Sequence, residues 1–349
     1  MNDYRFILDK TSKKFYCPDC NKKTFVRYID TRKDEYLQEK YGRCDREIKC
    51  SYHLSPYYDG FANLIWEQEK GAFIKNKKAQ LTPFKALAKQ EIKEPVFIPY
   101  EILKATRKGY EQNVFIQNLL HNVPFPFDTK EIEQVISHYH LGTVCKGYRD
   151  GAITFPFIDI NGNVRSIQAK QFDKTNHTIS TDFLHSIYEK DCKKNNKPLP
   201  DWLNSYLLND KKVSCLFGEH LLSKYPTNSI ALVEAPKTAI IAALYFGFPD
   251  NPKNFLWLAV YNLSSLNIDK CKVLQGRKVF LFPDLNAFDN WSQKANSLQN
   301  GMPGASFKVS DLIQNNATKE EKEKGLDIAD FLTRLDWRDF RRLKPDNQR

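Results

Sequence analysis

The chain has 349 residues, enough for two or three domains with buried cores, and it is 41% hydrophobic and 27% charged. With only 14 Gly and 17 Pro, it is neither collagen-like nor of low complexity. Lysine and arginine number 53 against 42 acidic residues, a net charge of +11 that favours a polyanionic partner, because cations lining a nucleic acid release its counterions.

The longest apolar runs, such as Phe255–Val260, fall far short of the roughly 18–20 residues of a membrane span. The opening MNDYRFILDKTSKK has no continuous apolar core of the kind a signal peptide needs. The expectation is a cytoplasmic protein with no membrane partner. Of the eight cysteines, Cys17, Cys20, Cys44 and Cys50 lie in the first 50 residues. Cys145, Cys192, Cys215 and Cys271 are scattered and read as buried or idle thiols rather than a disulfide framework.

The N-terminal cluster has the spacing of a structural zinc site. In Cys17-Pro-Asp-Cys20 two residues separate the thiols, so a tight turn faces both toward one ion. Lys23–Asp30 alternates apolar and polar residues as a strand should, and would carry the chain to a second half-site. That half-site offers Cys44, Cys50 and His53, which makes five candidates for four positions. Cys17, Cys20, Cys44 and Cys50 are the favoured set, with His53 the substitute for either late cysteine, and structural Zn²⁺ is the expected cofactor. Arg27, Arg32, Lys33, Lys40, Arg43, Arg46 and Lys49 surround the cysteines, with Phe25, Tyr28, Tyr36 and Tyr41 between them. Cations that follow a backbone and rings that stack on bases suit single-stranded nucleic acid, although most of these rings are expected in the ribbon's own small core.

Gln68–Lys93 holds seven lysines against Glu69 and Glu91 and reads as a solvated basic connector. Apolar residues three or four apart then predict helices over Tyr100–Thr106, Gln112–Leu120 and Lys130–Tyr139, the last ending near Gly142. The run ITFPFID, the turn Asn161-Gly162-Asn163 and VRSIQAKQF predict a hairpin, with Arg165, Ser166, Gln168 and Lys170 available for polar contact on its second strand. Ile187–Val213 is polar and rich in Lys and Asn, and is expected to be an inserted loop.

The last third alternates strands and helices. Ser229–Ala235, Phe255–Tyr261, Arg277–Asp284 and Ala305–Ser310 read as strands. Lys237–Phe246 (with Pro236 in its first turn), Asp269–Leu274, Ala287–Gln299 and a closing segment from Asp327 read as helices. This alternation implies a parallel sheet covered by helices, with functional groups at the carboxyl ends of its strands. Glu234 and Asp284 fall there, followed by Asn286 and Asp289. Carboxylates gathered at one edge are costly without a cation, and hard oxygen ligands suit Mg²⁺. The plainer reading makes Glu234 a helix-start residue and Asp284 a helix cap.

The strand ending in Glu234, the following Lys-Thr-Ala and the strand ending Phe-Pro-Asp-x-Asn resemble a Toprim domain, the metal-binding module of bacterial replicative primases and topoisomerases. FPFIDINGNVRSIQAKQFD resembles the primase subdomain that precedes Toprim, with Lys170 in the place of a basic residue facing nucleotide or template. CLFGEHLL, VEAPKTAIIAA and VFLFPDLNAFDNW resemble more closely a group of zinc-ribbon, Toprim-like proteins of unknown function from Bacteroides-type mobile elements, over most of residues 15–335. The chain departs from the primase pattern in three places. Ala235 stands where primases have Gly, Thr238 or a neighbour where they have a later Asp, and Asp284-Leu285-Asn286 where they have Asp-x-Asp. The loss of an acid at Asn286 leaves a single Mg²⁺ on Glu234 and Asp284, with Asp289 one turn onward in partial compensation. Asp327 or Asp330 would be a later acid, helix capping by Asp327 being the plainer reading.

The expected fold is therefore α+β and multidomain: a zinc ribbon (1–67), a basic linker (68–95), a central helical and hairpin region (96–214), and a C-terminal α/β Toprim-like domain with a parallel sheet (215–349). The resemblance implies a primase-like DNA-binding protein of mobile-element replication or transfer, with Mg²⁺-dependent nucleotidyl transfer at Glu234 and Asp284. Arg165, Lys170 and Lys237 would contact nucleic acid, and replication or mobilisation proteins would be its partners. The alternatives are a catalytically degenerate recruitment module and a Toprim-type nuclease.

Overall fold

The chain folds as two units, Met1–Glu91 and Ile92–Arg349. The structure, a computed structural model, describes residues 4–46, 50, 52–57, 61–62, 65–66, 96–208, 213–262 and 265–341. The basic linker expected at 68–95 lies outside the described residues.

In the N-terminal unit the alternating segment Phe25–Asp30 forms the central strand, β2, flanked by β1 (Phe6–Leu8), β3 (Glu35–Tyr36), β4 (Gly42–Cys44) and β5 (His53–Leu54). The order is β1-β2-β4-β5, with β3 also on β2, and every pairing is antiparallel. The sheet carries two small cores, one of Phe6, Tyr28 and Tyr41 and the other of Cys17, Phe25 and Cys44. A Cβ at Gly42 would lie 2.3 Å from the Phe25 ring and 2.4 Å from the Val26 carbonyl, so only glycine lets β4 close on β2 here.

The C-terminal unit begins with α1 (Tyr100–Thr106), α2 (Val114–Gln117) and α3 (Thr129–Tyr139). The helix expected over 112–120 breaks into a tight turn at Tyr110–Gln112, α2, and a wide turn at Asn118–Asn122. Asn113 explains the first break, since its side chain caps α2 by accepting from the Ile116 N–H. An antiparallel sheet follows, β6 (Gly142–Thr143), β7 (Ile153–Ile158), β8 (Val164–Phe172) and β9 (Thr178–Phe183), ordered β6-β7-β8-β9. Strand β9, a polar segment, is one the sequence pattern does not reveal.

The polar insertion expected at Ile187–Val213 is instead largely helical: α4 spans Leu184–Lys194 and α5 spans Asp201–Leu208. Leu184, Ile187 and Tyr206 drive this, as they join Leu103, Val144, Ile158, Val164 and Ile167 in a core on one face of the antiparallel sheet. The surrounding Lys and Asn residues only coat the outside.

The predicted alternation of strands and helices is present from β10 (Ile230–Val233) through α6 (Pro236–Phe246), β11 (Leu256–Ala259), α7 (Ile268–Cys271), β12 (Lys278–Leu281), α8 (Phe288–Gly301) and β13 (Ser306–Val309). Four short helices close the chain: α9 (Leu312–Asn316), α10 (Lys319–Lys324), α11 (Ile328–Leu332) and α12 (Trp337–Arg341). The strands are all parallel, in the order β11-β10-β12-β13. Helix α6 is nearly all apolar and correspondingly buried. The chain leaves β10 toward β11 on one side and returns to β12 on the other, so the crevice of this sheet opens between the carboxyl ends of β10 and β12.

The two sheets are joined by Phe217, whose backbone bridges Ala259 at the edge of β11 in both directions, at 2.9 and 3.2 Å. Its ring meets Phe155 and Phe157 of β7. One face of the antiparallel sheet is thereby packed into the core of the parallel one. Among the described residues no helix is long and apolar enough to cross a membrane.

At Gly142 an added Cβ would lie 2.4 Å from Thr106 Oγ1 and 2.5 Å from the Thr106 carbonyl. Gly142→Ala should therefore destabilise the C-terminal unit by about 1–3 kcal/mol. The expected result is a lower urea midpoint for that unit with zinc content unchanged.

Candidate functional site

The N-terminal site is built by two turns set side by side by the β2–β4 pairing, in which Phe25 lies opposite Cys44. In the Cys17–Cys20 turn the Asn21 N–H donates to the Cys17 carbonyl, and the Cys17 N–H donates to that of Lys22. On the other side the Cys44 N–H donates to the Tyr52 carbonyl and the Cys50 N–H to that of Arg46. The result brings the Sγ atoms of Cys17, Cys20, Cys44 and Cys50 all within 4.8 Å of one another. Cys17 and Cys50 are 3.5 Å apart and Cys20 and Cys44 are 3.9 Å apart. Tetrahedral zinc with bonds of about 2.3 Å sets its sulfurs about 3.8 Å apart, so the set fits structural Zn²⁺. His53 is not in this group. Its Nε2 is bonded to the Tyr28 hydroxyl at 3.0 Å and its ring stacks on that of Tyr28. On β5 its side chain is exposed and engaged by Tyr28, so of the five candidates the four cysteines make the site.

The basic and aromatic residues of this unit are partly spent on each other. Lys13 and Arg27 lie over the rings of Phe15 and Tyr36 at 5.1–5.3 Å, while Phe25, Tyr28 and Tyr41 are buried. Tyr16, beside Cys17, remains 65% exposed.

The second site lies at the carboxyl edge of the parallel sheet. Glu234 follows β10 and Asp284 follows β12, on the neighbouring strands that define the crevice. Asp327 and Asp330 reach it from the start of α11, where they form a reciprocal capping box. Asp327 is buried and accepts from Thr238 Oγ1 at 2.6 Å. Lys237, in the first turn of α6, sets its Nζ 3.5 Å from Asp327 and 3.7 Å from Asp330.

The charges sort themselves accordingly. Burial works against the Asp327 carboxylate, but Lys237, the Thr238 hydroxyl and the backbone N–H groups of Asp330 and Ala329 outweigh it and hold its pKa below the ordinary value. Burial also opposes the Lys237 ammonium, yet Asp327, Asp330 and Asp284 together raise its pKa. Asp284 has no such support. Burial first, then the charges of Asp327 and Glu234, push its carboxyl well above the usual range, with only partial relief from Lys237. Asp330 is raised by burial and by Asp327.

Lys170 comes to the same edge from the antiparallel sheet. Burial and Lys237 lower its pKa, while Glu234, Asp327 and Asp284 pull it back. On its face of β8 stand Gln168 and Ser166, whose buried Oε1 and Oγ have no hydrogen-bond partner among the described residues. Arg165 is not brought to this place. It lies five residues along β8, about 16 Å at strand rise, and its guanidinium covers Phe97. The β-bulge opposite Phe157 and Ile158 falls at Arg165 and takes it out of the alternation. Asn286 is exposed, with its amide against Gly325, where a Cβ would be 2.1 Å away. Asp289 is exposed on the first turn of α8. Lys294, not anticipated from the sequence, feels the charge of Glu234 and is lowered by burial. The signal was available, because Lys294 shares a helical stripe with the buried Trp291 and Leu298.

Among the described residues the four cysteines are the only group of three or more metal-binding side chains drawn so close. The edge carboxylates are looser and enclose a lysine. Mg²⁺ commonly takes only one or two carboxylates together with water and phosphate, so Glu234 and Asp284 fit one ion.

A zinc β-ribbon finger model matches residues 4–63. The model of a domain of unknown function, DUF6371, matches residues 113–285. No curated protein matches the chain. Among solved structures, the chain is similar to the primase fragment of the bacteriophage T7 primase–helicase protein, at 10% identity and a TM-score of 0.34, over 92% of this chain and 100% of that one. It is also similar to the DnaG primase catalytic domain bound to ssDNA, at 13% identity and 0.38, over 67% and 80%. The zinc-binding and RNA polymerase domains of Aquifex aeolicus primase match at 13% and 0.30, over 96% and 79%.

Metal analysis should find about one zinc per chain. Cys17→Ser and Cys44→Ser should lose it and unfold the N-terminal unit, while His53→Ala should keep it. At the edge, Asp327→Ala should cost about 3 kcal/mol in urea unfolding at pH 7, because it strips a buried lysine of its partner and a helix of its cap. Asp284→Asn in EDTA should be neutral or stabilising. The signs differ with pH. The stability due to Asp327 is present above the unfolded-state pKa and is lost as pH falls through its lowered folded value. The cost of ionising Asp284 is greatest above its raised value and vanishes as pH falls, so the gain in Asp284→Asn should shrink on acidification.

Proposed function

We propose that this is a primase-like nucleic-acid-binding protein, with a Toprim-like C-terminal region that handles phosphate at one divalent cation on Glu234 and Asp284. The observation that carries the reading is the meeting of Glu234, Asp284, Asp327 and Asp330 with Lys237 and Lys170 at the crevice between β10 and β12. Acids from three segments of the chain face a lysine from a second sheet there. Such an edge suits a polyphosphate or a strand backbone. The cation would neutralise phosphate oxygens, and Lys170 would add a fixed counter-charge. Burial and the neighbouring acids raise the Asp284 pKa, and a cation held here would offset both effects. The zinc ribbon, with Tyr16 exposed beside the metal site, and the net charge of +11 supply the grip on a single strand. Mobile-element replication or transfer is the setting that the sequence resemblance suggests.

A specific observation also favours a second reading, a recruitment module without catalysis. Lys237 already pairs with Asp327 and Asp330, and Asn286 packs on Gly325 instead of offering a carboxylate.

Label incorporation on single-stranded DNA with ribo- and deoxynucleotides, in Mg²⁺ and then Mn²⁺, separates the two. Synthesis that falls at least about a hundredfold in Glu234→Gln and Asp284→Asn establishes nucleotidyl transfer. DNA affinity with a log–log salt slope near −3, and no synthesis, establishes the binding module. Shortened DNA marks a nuclease. A flat salt slope overturns the nucleic-acid reading altogether.

A further inference from the structure

On the face of the antiparallel sheet turned away from the carboxylate edge, a cavity of about 680 Å³ opens between the end of α1, the loop joining β6 to β7, and α4. Its volume lies within the ~300–1,000 Å³ of small-molecule sites. The floor is apolar, with Val144, Leu184 and Ile187 buried. Tyr148 and Tyr188 form an aromatic wall. The Tyr148 ring is fixed from outside, with Arg149 and Lys190 over it at 4.5 and 4.4 Å and both cations paired with Asp182.

The mouth carries two further cations, Lys108 and Lys146, both exposed. Neither has an ion-pair partner among the described residues. The acid at the mouth, Asp191, accepts from Asn195 at 3.1 Å.

We propose that this cavity binds one nucleotide. A planar base meets the apolar floor and Tyr188, its N–H donors face Asp191, and its phosphate is taken by Lys108 and Lys146. The chemistry argues for this occupant over a simple anion, which would leave the floor unfilled. It argues equally against a neutral aromatic, which would leave two ammonium groups unused. The nucleotide can be free, or one unit of a strand. The site shares no residue with the carboxylate edge, so it stands or falls independently of the function proposed above.

Cys145, half-buried in the cavity lining, reports occupancy. The full zinc-loaded chain is treated with iodoacetamide, and the modification of Cys145 is followed by peptide mass spectrometry, with buried Cys192 as the reference. AMP or ADP at millimolar concentration should slow alkylation of Cys145 about fivefold or more, while adenosine and ribose 5-phosphate have weaker effects. Lys108→Glu with Lys146→Glu, both at exposed positions, should weaken the protection about tenfold without changing the melting temperature. Protection by an oligothymidylate at far lower nucleotide concentration assigns the site to a strand, and protection by AMP that the oligomer does not better assigns it to free nucleotide. Absence of protection by either, protection by ribose 5-phosphate or a fatty acid equal to that by AMP, or protection indifferent to the charge reversal overturns the proposal.

Discussion

Asp327 is a carboxylate in a place where a lone charge could not stay, and the C-terminal unit is arranged around satisfying it. Thr238 and Lys237, adjacent on the first turn of α6, supply a hydroxyl and an ammonium. The backbone N–H of Asp330 supplies a third donor, and in giving it starts α11. One buried acid thus fixes the docking of α11 on α6, the direction of Lys237 and the position of Asp330. A buried pair of this kind adds little net stability over an apolar contact, but breaking it is costly, so its main effect is to hold the arrangement unique. It also divides the edge into two halves. Asp327 and Asp330 share the Lys237 ammonium at close range, while Glu234 and Asp284 lie beside the more distant charges of Lys170, Lys237 and Lys294.

The second sheet completes the edge because of an apolar contact far from any charge. Phe217 pairs with the edge strand β11 and seats its ring against Phe155 and Phe157. That face of β7 and β8 must then follow the parallel sheet, and the pleat carries Ser166, Gln168 and Lys170 with it. Ser166 Oγ and Gln168 Oε1, without partners among the described residues, are the cost of placing polar residues on a face they share with Ile153, Phe155, Phe157 and Phe172.

The features readable in the sequence are those written in local spacing. Two-residue spacing at Cys17 and Cys20, the Asn-Gly turn at Asn161, and the rhythm of strand and helix from Ile230 onward each depend on neighbours within a few residues. The choice of the four cysteines over His53 does not, because it depends on the Tyr28 hydroxyl, which only the folded sheet brings to that ring. The helices within 187–213 were obscured because Lys and Asn dominate the composition while a few apolar side chains decide the packing. Arg165 and Lys170 look equivalent along a strand, yet a bulge and five residues of rise separate them. Lys294 and Asp330 belong to the edge through contacts more than thirty residues from Glu234.

The two departures from the primase pattern at this edge act in one direction. Where the resemblance expects aspartates, Asn286 and Thr238 or a neighbour stand without one, so the edge carries fewer negative charges. Thr238 uses its hydroxyl to donate to Asp327, which an aspartate could not do when ionised. Asn286 rests on Gly325, and the Leu285 N–H donates to the Leu326 carbonyl, so this loop braces the turn leading into Asp327. Neither substitution leaves a hole, since each does structural work for the same buried acid. The edge thus gathers its acids around Lys237, with Thr238 and Asn286 both committed to contacts inside the protein.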